Sequence, residues 1–324
     1  MPSNPIPPRA LPARFRRTRV LIVGCGDVGQ RFARLVQPLA ARPLGRGPRV
    51  LALTSSLDKV AELRALGVQP LLGNLDDVRS LRRLRGVAHR VLHLAPPAPQ
   101  GSQDTRTANL LRVLAQGHTP PSLVYGSTTG VYGDCAGEWV DETRPVAPAT
   151  ARGQRRADAQ ARLRAYGLRS GVRVNVLRIP GIYAPNRKGG TPRTRLLKGL
   201  PVLAHGEDVF TNHIHADDLA RICWAALWRG KPQRTYHASD DTQLRMGDYF
   251  DLAADLYGLP RPPRVSRAIA EQTLPPVMLS FMSESRRLRN DRIKQELRVQ
   301  LRYPTVREGL QESESNRSAC ASSR

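Results

Sequence analysis

Short apolar runs alternate with segments of helical periodicity along most of the chain. Val20-Leu21-Ile22-Val23 predicts a buried strand, and the helix after it carries Phe32 and Val36 on one face until Pro38 stops or kinks it. Further strands are predicted at 50–53, 68–72, 91–94, 123–125 and 172–177, with helices at 57–66, 77–84, 107–116 and 151–166 between them. This alternation is typical of an α/β fold in which helices cover both faces of a parallel sheet. The pattern therefore predicts a Rossmann, doubly wound parallel sheet.

The regular alternation covers only part of the chain. Residues 1–18 are rich in proline and arginine and predict a disordered tail, as do the serine-rich residues 311–324. We expect the Rossmann domain to span residues 19–180. The irregular pattern of residues 181–310 predicts mainly a smaller C-terminal substrate-binding lobe, although the sheet could recruit a strand near Thr235 to Ala238.

The chain is strongly basic, with a formal net charge of +24. The arginines are spread along the whole sequence, so codon usage in a GC-rich genome explains them better than a nucleic-acid surface, and we expect no specific nucleic-acid partner. No apolar run approaches the ~20 residues that span a bilayer, and no secretory signal begins the chain. The four cysteines form no Cys-x-x-Cys pair. We expect a cytoplasmic protein without membrane contact.

The glycine loop Gly24-Cys25-Gly26-Asp27-Val28-Gly29 follows the first strand and opens the first helix. In that context Gly24 permits a tight turn, Gly26 lets a pyrophosphate approach the backbone, and Gly29 lets helix and strand pack closely. The helix N-terminus offers free N–H groups and a partial positive charge. The loop therefore predicts a site for NAD or NADP. Cys25 is either a small residue in a tight turn, which we favour, or a redox-sensitive thiol.

The end of the second strand bears on the choice between these cofactors. An acidic residue there would bind the adenosine ribose and repel a 2′-phosphate, but this chain has Thr54-Ser55-Ser56. No arginine follows at once to bind the phosphate. The sequence therefore favours NADP only slightly over NAD.

Further motifs follow the later strands in a characteristic order. They are Gly73-Asn74-Leu75-Asp76, His93-Leu94-Ala95, Gly126-Ser127-Thr128-Thr129-Gly130-Val131-Tyr132-Gly133, Arg178-Ile179-Pro180-Gly181-Ile182-Tyr183-Ala184-Pro185 and Asn212-His213-Ile214-His215-Ala216-Asp217-Asp218-Leu219-Ala220. Over residues 19–310 the chain resembles the extended and atypical short-chain dehydrogenase/reductase (SDR) superfamily, specifically its NAD-dependent epimerase/dehydratase family.

The resemblance implies roles for the motif residues. Thr128 matches the active-site Ser/Thr whose hydroxyl binds the reacting substrate oxygen, although it could simply satisfy a strand end. Asn74 replaces an adenine-contacting aspartate, Leu94 and Ala95 lie along the cofactor, and Pro180, Gly181 and Tyr183 flank its nicotinamide end. The expected cofactor contacts are Gly24, Gly26, Asp27, Val28, Gly29, Thr54, Ser55, Asn74, Leu75, His93, Leu94, Ala95, Ser127, Pro180, Gly181 and Tyr183.

The chain departs from the family at the catalytic helix. The family's Tyr-x-x-x-Lys acid/base pair is absent, and the corresponding stretch is Thr150-Ala151-Arg152-Gly153-Gln154-Arg155-Arg156-Ala157. Arg155 or Arg156 could supply the lysine's charge, but a guanidinium cannot readily relay protons, and Tyr132 and Tyr183 fit packing or cofactor contact better than catalysis. We expect an oxidoreductase or epimerase-like enzyme acting on a small carbonyl or alcohol or a nucleotide-sugar. A non-catalytic NAD(P)-binding sensor or scaffold is the alternative, and a homodimer remains open.

Two further clusters are weighed against plainer interpretations. His213 and His215 alternate before Asp217, the expected cap of the next helix, but no third ligand is placed by the sequence, so we expect no metal site. Arg286, Arg287, Arg289 and Arg292 are expected on a helix near the end of the chain. They could grip an anionic substrate, but water-facing side chains are the favoured interpretation.

Overall fold

The computed structural model describes residues 17–40 and 47–311. The two predicted tails therefore fall almost entirely outside the described residues. The strands are β1 Arg19–Val23, β2 Arg49–Thr54, β3 Gln69–Leu72, β4 Arg90–His93, β5 Ser122–Thr128, β6 Trp139–Val140, β7 Arg173–Ile179, β8 Gly181–Tyr183, β9 Val202–Leu203, β10 Phe210–Thr211, β11 His213–His215, β12 Arg234–His237, β13 Leu244–Arg245, β14 Arg264–Val265 and β15 Arg287–Leu288.

The helices connect these strands and cover the sheet. They are α1 Asp27–Ala40, α2 Lys59–Ala65, α3 Thr105–Leu114, α4 Ala151–Ser170, α5 Arg193–Leu197, α6 Ala216–Arg229, α7 Met246–Leu256, α8 Arg267–Thr273, α9 Pro276–Phe281 and α10 Asp291–Gln295, with 3-10 helices at Val78–Leu84 and Thr129–Tyr132. In the described ranges, no helix combines the length and the apolarity that crossing a bilayer requires.

Seven parallel strands form the central sheet in the order β12-β7-β5-β4-β1-β2-β3. The chain fills one half of the sheet from β1 to β3 and then crosses back to β4 to build the other half. The predicted Rossmann fold is confirmed. The order reverses between β1 and β4, where the carboxyl ends of the strands leave a crevice for a ligand.

The alternation of side chains in β1 divides the core between the two faces of the sheet. Val20 and Ile22 pack with Phe32 of α1 and with α6 on one face. Leu21 and Val23 pack with Leu110 of α3 and with α4 on the other. Because β1 is covered on both sides, its residues after Arg19 are all apolar.

A smaller lobe is built from short elements after β7. Its core contains Tyr183, Val202, Tyr249 and Phe250 together with residues of α8 and the C-terminal segment. Four two-stranded pairs, β8 with β11, β9 with β14, β10 with β13 and β6 with β15, connect these elements. Although β12 follows the first part of this lobe, it pairs with β7 and completes the sheet.

Several local predictions need correction. Residues 78–84 form a 3-10 helix rather than an α-helix, capped by Asp77. The cap of α6 is His215, whose Nδ1 accepts from the Asp217 N–H at 3.2 Å, so Asp217 lies inside the first turn. Helix α1 continues through Pro38 to residue 40.

The expected C-terminal arginine helix was also wrong. Arg287 lies in strand β15, opposite Trp139 of β6, and Arg286 precedes that strand. Only Arg292 of the four lies in a helix, α10. Pairing with a strand distant in the sequence overrides the local helical propensity here.

Candidate functional site

A cavity of about 640 Å³ opens between the carboxyl ends of the sheet strands and the lobe. Its sheet side is lined by the glycine loop, the ends of β5 and β7, and the start of α4. Its lobe side is lined by residues near α5, α7, α9 and β15. Of the predicted site residues, the cavity contacts Gly24, Gly26, Asp27, Val28, Gly29, Leu94, Ser127, Thr128, Pro180 and Gly181.

The first glycine of the loop has a backbone that other residues cannot adopt without strain. Gly24 has φ of 91°, and a Cβ added there would lie 2.3 Å from the backbone nitrogen of Ala95. The loop after β1 therefore packs directly on the loop after β4. Only glycine leaves room for the Ala95 backbone at position 24. The Ala95 N–H donates to the Val23 carbonyl at 2.9 Å and holds the two loops together.

The second glycine faces open space. A Cβ at Gly26 would meet no atom within 4 Å, although the residue lines the cavity. Helix α1 starts beside it, and the helical bond from the Gln30 N–H to the Gly26 carbonyl measures 2.9 Å. Because the first N–H groups of a helix have no partner within it, they are available to an anionic ligand. The loop forms a cradle that fits a pyrophosphate.

Asp27 introduces a carboxylate at the same place, where it would repel a phosphate. Two guanidinium groups bind it: Arg31 Nε lies 3.1 Å from Oδ1 and Arg187 Nε lies 3.2 Å from Oδ2. Arg31 also donates to Asp217 and Asn186, so one buried side chain joins helix α1 to two segments that follow β7. The negative charge of Asp27 is thereby compensated.

The end of β2 carries the residues that bear on cofactor choice. The Thr54 hydroxyl accepts from the Ser56 N–H at 3.2 Å and Ser55 is exposed, and neither lines the cavity. Burial raises the pKa of the nearby Cys25 thiol to about 11, with further influence from Glu62, Lys59 and Arg34. A buried thiol with so high a pKa is unreactive, which supports the packing interpretation of Cys25.

Three expected cofactor contacts are used within the protein. The Asn74 side chain accepts from the Asp76 N–H at 3.0 Å and closes a turn. Leu75 is buried in the core. The His93 ring lies 2.9 Å from the Thr107 hydroxyl, and burial lowers the pKa of His93 to about 3, so it is neutral and turned away from the cavity.

Thr128 ends β5 and lines the cavity. Its hydroxyl accepts from the Gly130 N–H at 3.2 Å and caps the following 3-10 helix, which leaves the hydroxyl hydrogen free for another acceptor. The neighbouring Ser127 hydroxyl accepts from Gln160 of α4 at 2.6 Å. Both roles proposed for Thr128, strand-end cap and ligand contact, fit this geometry.

Helix α4 presents two arginines to the cavity, one turn apart. Arg156 donates to the Gly126 carbonyl at 2.8 Å and to the Tyr125 hydroxyl at 3.0 Å. Arg152, four residues earlier, stacks its guanidinium 5.2 Å from the ring centre of Phe281 in α9. Arg155 instead donates to the Gly101 carbonyl outside the cavity, so Arg156 is the residue positioned to replace the lysine.

The two histidines before α6 belong to the packing of the lobe. Both rings stand edge-on to Tyr183, as the predicted alternation requires. His213 lines the cavity, and burial lowers its pKa to about 4. Across the described ranges, no group of three or more metal-ligating side chains occurs.

Comparison with known proteins identifies the family. Residues 39–238 match the model of the NAD-dependent epimerase/dehydratase family. The chain belongs to this family. The matched residues begin after the glycine loop, so the loop adds to the evidence independently of the match.

Three relatives of this epimerase/dehydratase chain have different degrees of similarity. A structure of a functionally unknown conserved protein from Silicibacter pomeroyi is 32% identical, with a TM-score of 0.75 over 92% of this chain and 99% of that one. Protein YeeZ of Escherichia coli K12 is 27% identical over 252 residues, which cover 75% of this chain and 85% of YeeZ. The dTDP-glucose 4,6-dehydratase DesIV of Streptomyces venezuelae, solved with NAD bound, is 22% identical, with a TM-score of 0.72 over 93% and 98% of the chains, and shares the fold.

No described tyrosine takes the place of the epimerase/dehydratase family's acid/base. Tyr132 contacts His237 and Arg178, and Tyr183 donates to the Thr305 carbonyl at 3.2 Å, both away from the cavity. Tyr249 does line the cavity, but burial raises its pKa well above the ordinary value. Burial also raises the pKa of Tyr132 to about 12 and that of Tyr183 well above its ordinary value, so none of the three readily ionises to act as a base at neutral pH.

Sequence reasoning missed Arg195 of α5 and Glu284, which the lobe brings to the cavity. Arg286, named above as able to grip an anionic substrate, also lines it, and the favoured interpretation of a water-facing side chain is wrong, since Arg286 is 8% exposed. The Arg286 guanidinium donates to the Gly133 carbonyl at 2.6 Å and to Glu284 at 2.7 Å. The spacing of Arg152 and Arg156, equal to that of Tyr-x-x-x-Lys, was the one local signal available for Arg152.

Proposed function

We propose that the cavity binds NAD(P) and that the chain is an oxidoreductase or an epimerase/dehydratase-like enzyme acting on a small carbonyl or alcohol or a nucleotide-sugar. The observation that carries the proposal is the glycine cradle at Gly26, which opens into the cavity beside the N-terminus of α1. The presence of NAD in DesIV, which has the same fold, supports it. The substrate class rests on fold analogy alone.

The residues present fit a dinucleotide. In this proposal Gly26, Gly29 and Arg187 would hold the pyrophosphate, Thr54 and Ser55 would bind the adenosine ribose, and Pro180 and Gly181 would contact the nicotinamide. Asn74, His93 and Tyr183 would contribute only through the backbone they hold, since their side chains are engaged elsewhere. When bound, the nicotinamide accepts or supplies a hydride.

The chain's own residues orient the substrate and its surroundings. Thr128 donates its free hydroxyl hydrogen to the substrate oxygen. Arg156 supplies a fixed positive charge from α4, and its bonds to Tyr125 and Gly126 tie α4 to the carboxyl-terminal half of β5. Because guanidinium stays protonated, the proton is exchanged by a group not identified among these residues, or by water.

The test is a titration with NADPH and NADH, followed by nicotinamide fluorescence. A Cβ at Gly26 meets no atom within 4 Å, so we expect Gly26→Val to fold, to fill the cradle and to lose at least about a hundredfold in cofactor affinity. Gly206→Val is the matched control, since Gly206 is an exposed glycine that also has open space around it. Equal cofactor binding by the wild type and Gly26→Val, or no binding by the wild type, would contradict the proposal.

A slight preference for NADP over NAD is part of the proposal. Thr54 and Ser55 place no carboxylate at the end of β2, while Lys59 and Arg34 lie close enough to influence Cys25. The carboxylate of Glu62, which accepts from Gln30 at 2.7 Å, opposes them. We expect Lys59→Gln to weaken the binding of NADPH more than the binding of NADH in the same titration. An equal effect on the two affinities would count against the preference for NADP.

A non-catalytic sensor or scaffold is the second candidate. The lack of a suitably placed tyrosine among the described residues favours it. It predicts tight cofactor binding without hydride transfer to any member of a substrate panel, and a partner whose affinity changes with cofactor. Turnover by the wild type that Thr128→Val abolishes would decide for the enzyme.

A further inference from the structure

The cavity carries an excess of positive charge that the protein does not neutralise. Among the described residues that line it are five arginines but only two carboxylates, Asp27 and Glu284. Asp27 binds Arg187, and Glu284 binds Arg286. Each carboxylate is thus already paired with an arginine. The charges of the remaining arginines are not neutralised by a carboxylate that lines the cavity.

Those remaining arginines are Arg152, Arg156 and Arg195. In the described part of the chain, none of them forms an ion pair. Arg156 donates hydrogen bonds only to uncharged oxygen atoms, such as the Gly126 carbonyl. Arg195 lies over the ring of Phe250 and donates to the Pro201 carbonyl at 2.9 Å. The Nε of Arg195 is buried without a hydrogen-bond partner, and burial lowers the pKa of its guanidinium. A buried donor left unpaired points to an absent acceptor.

Arg152 is unfavourably placed for the stability of its own helix. It lies in the first turn of α4, which contains no acidic residue, so its charge adds to the positive end of the helix dipole. Arg152 is exposed, makes no side-chain hydrogen bond within the described structure, and stacks on the Phe281 ring. Its guanidinium at the wall of the cavity is therefore available to a ligand, and a residue that opposes a local stability rule is a candidate for such a role.

Arg152 lines the same cavity as Thr128, and the backbone next to it packs on the turn that follows Thr128. The helix start packs on the turn after β5, since a Cβ at Gly153 would lie 2.9 Å from the Gly130 carbonyl, and the Gly130 N–H is bonded to the Thr128 hydroxyl. Glu284 approaches the same turn, 3.7 Å from a Cβ placed at Gly130, but its bond to Arg286 offsets its charge. The surroundings of Thr128 are therefore positive overall.

We propose that the substrate half of this cavity takes an organic anion, with a carboxylate or phosphate group held by Arg152 next to the position of Thr128. This inference rests on the proposed function, because it names the substrate class of the same site. The anion would sit beside the reacting end of the molecule, where Arg152 and Arg156 stand at the spacing of the family's Tyr-x-x-x-Lys pair. The planar guanidinium of Arg152 suits a carboxylate or phosphate, because either group can accept two parallel hydrogen bonds from it.

The test compares charged and neutral probes of matched shape by calorimetric titration. The pairs are malonate with malonamide and glucose 6-phosphate with glucose, at constant ionic strength, with and without saturating cofactor. We expect the charged member of at least one pair to bind saturably and its neutral counterpart not to bind. The pair that responds separates a carboxylate from a phosphate.

The variants assign the effect to Arg152. Arg152→Gln should weaken binding of the charged probe by about tenfold or more, as the loss of a charge-assisted hydrogen bond requires, and Arg152→Lys should restore part of it. Arg169→Gln is the matched control, since Arg169 is exposed in the last turn of the same helix. Removing Arg152 relieves the unfavourable helix-dipole interaction, so the variant is expected to fold.

The outcomes separate this inference from the proposed function. Charged probes that bind no better than neutral ones, or that bind Arg152→Gln and Arg169→Gln equally well, would overturn the inference. If the wild type still binds NADPH or NADH in those experiments, the cofactor proposal stands alone. If it binds an anion through Arg152 but neither cofactor, the proposed function fails and the anion site remains.

Discussion

The two walls of the cavity are built in different ways. The glycine wall comes from one continuous segment, the end of β1 and the start of α1, and its fit to a ligand depends on backbone geometry at Gly24 and Gly26. The arginine wall is assembled from α4, α5 and the approach to β15, which are far apart in the sequence. A wall made of backbone tolerates few substitutions, whereas a wall made of side chains can change its ligand one residue at a time.

The sharpest test of the glycine wall separates two glycines of one loop. Gly24→Ala would force a Cβ against the Ala95 backbone at a positive φ, and we expect a loss of about 3 kcal/mol or more in the free energy of unfolding. Gly26→Ala meets nothing and should change it by less than about 0.5 kcal/mol. Denaturant unfolding of the two variants measures the difference, and similar losses would show that the loop is not held as described.

The contact between helix α1 and the segments that follow β7 gives the next largest effect. Arg31 is 6% exposed and joins Asp27 to Asp217 and Asn186 across the boundary between α1 and the later segments. Arg31→Met should cost about 2 kcal/mol of stability, moderated because both aspartates keep some solvent contact. It should also weaken cofactor binding, since Asp27 loses one of its two counter-charges.

Arg34→Met is the control for that change. Arg34 lies one turn along the same helix and is exposed. Thermal unfolding compares the two variants, and the cofactor titration compares Arg31→Met with the wild type. An Arg31→Met protein as stable as Arg34→Met would mean that α1 is held to the later segments by other contacts.

A pH dependence tests the burial of His213, which lies in β11 and lines the cavity. Burial lowers the pKa of His213 to about 4 in the folded protein, below the ordinary value of about 6.5. The unfolded chain therefore binds more protons between these values, so stability is complete above pH 6.5 and falls as the pH drops toward 4. His213 contributes a loss of about 1.4 kcal/mol per pH unit within that window.

Two sheet-side histidines behave in the same way and must be separated from His213. Burial lowers the pKa of His93 and of His237 to about 3. His213→Asn should reduce the pH slope of the unfolding free energy by one proton's contribution, while His205→Asn, at an exposed ring, should leave it unchanged. A slope identical in the wild type and His213→Asn would refute the burial of an uncharged His213.

The contrast between the walls also explains what the sequence could predict. The strands and the glycine loop follow from local patterns, since a buried parallel strand is largely apolar and a tight turn requires glycine. Thr128 is singled out by the resemblance to the family. Arg286 could not be placed this way. Its surroundings depend on the pairing of β15 with β6, about 150 residues away, and on a bond to the Gly133 carbonyl.

Residue roles were less predictable than residue positions. Asn74 and His93 stand where the family pattern expects ligand contacts, but their side chains close a turn and bind Thr107. Asp217, predicted as a helix cap, instead binds Arg31, and Asp218 accepts from the N–H groups of Arg302 and Tyr303 at 2.9 and 2.8 Å. Which partner a polar side chain finds depends on long-range packing that periodicity does not encode.

The late position of β12 in the chain has a consequence for how this protein emerges from the ribosome. When β7 has been synthesised, its outer edge still lacks a neighbour, because β12 follows it by more than fifty residues. During that interval an apolar strand edge is exposed and can pair with another nascent chain. A fragment cut after residue 180 would keep this edge permanently and would be expected to aggregate, so the sheet can be isolated only together with the segment inserted before its last strand.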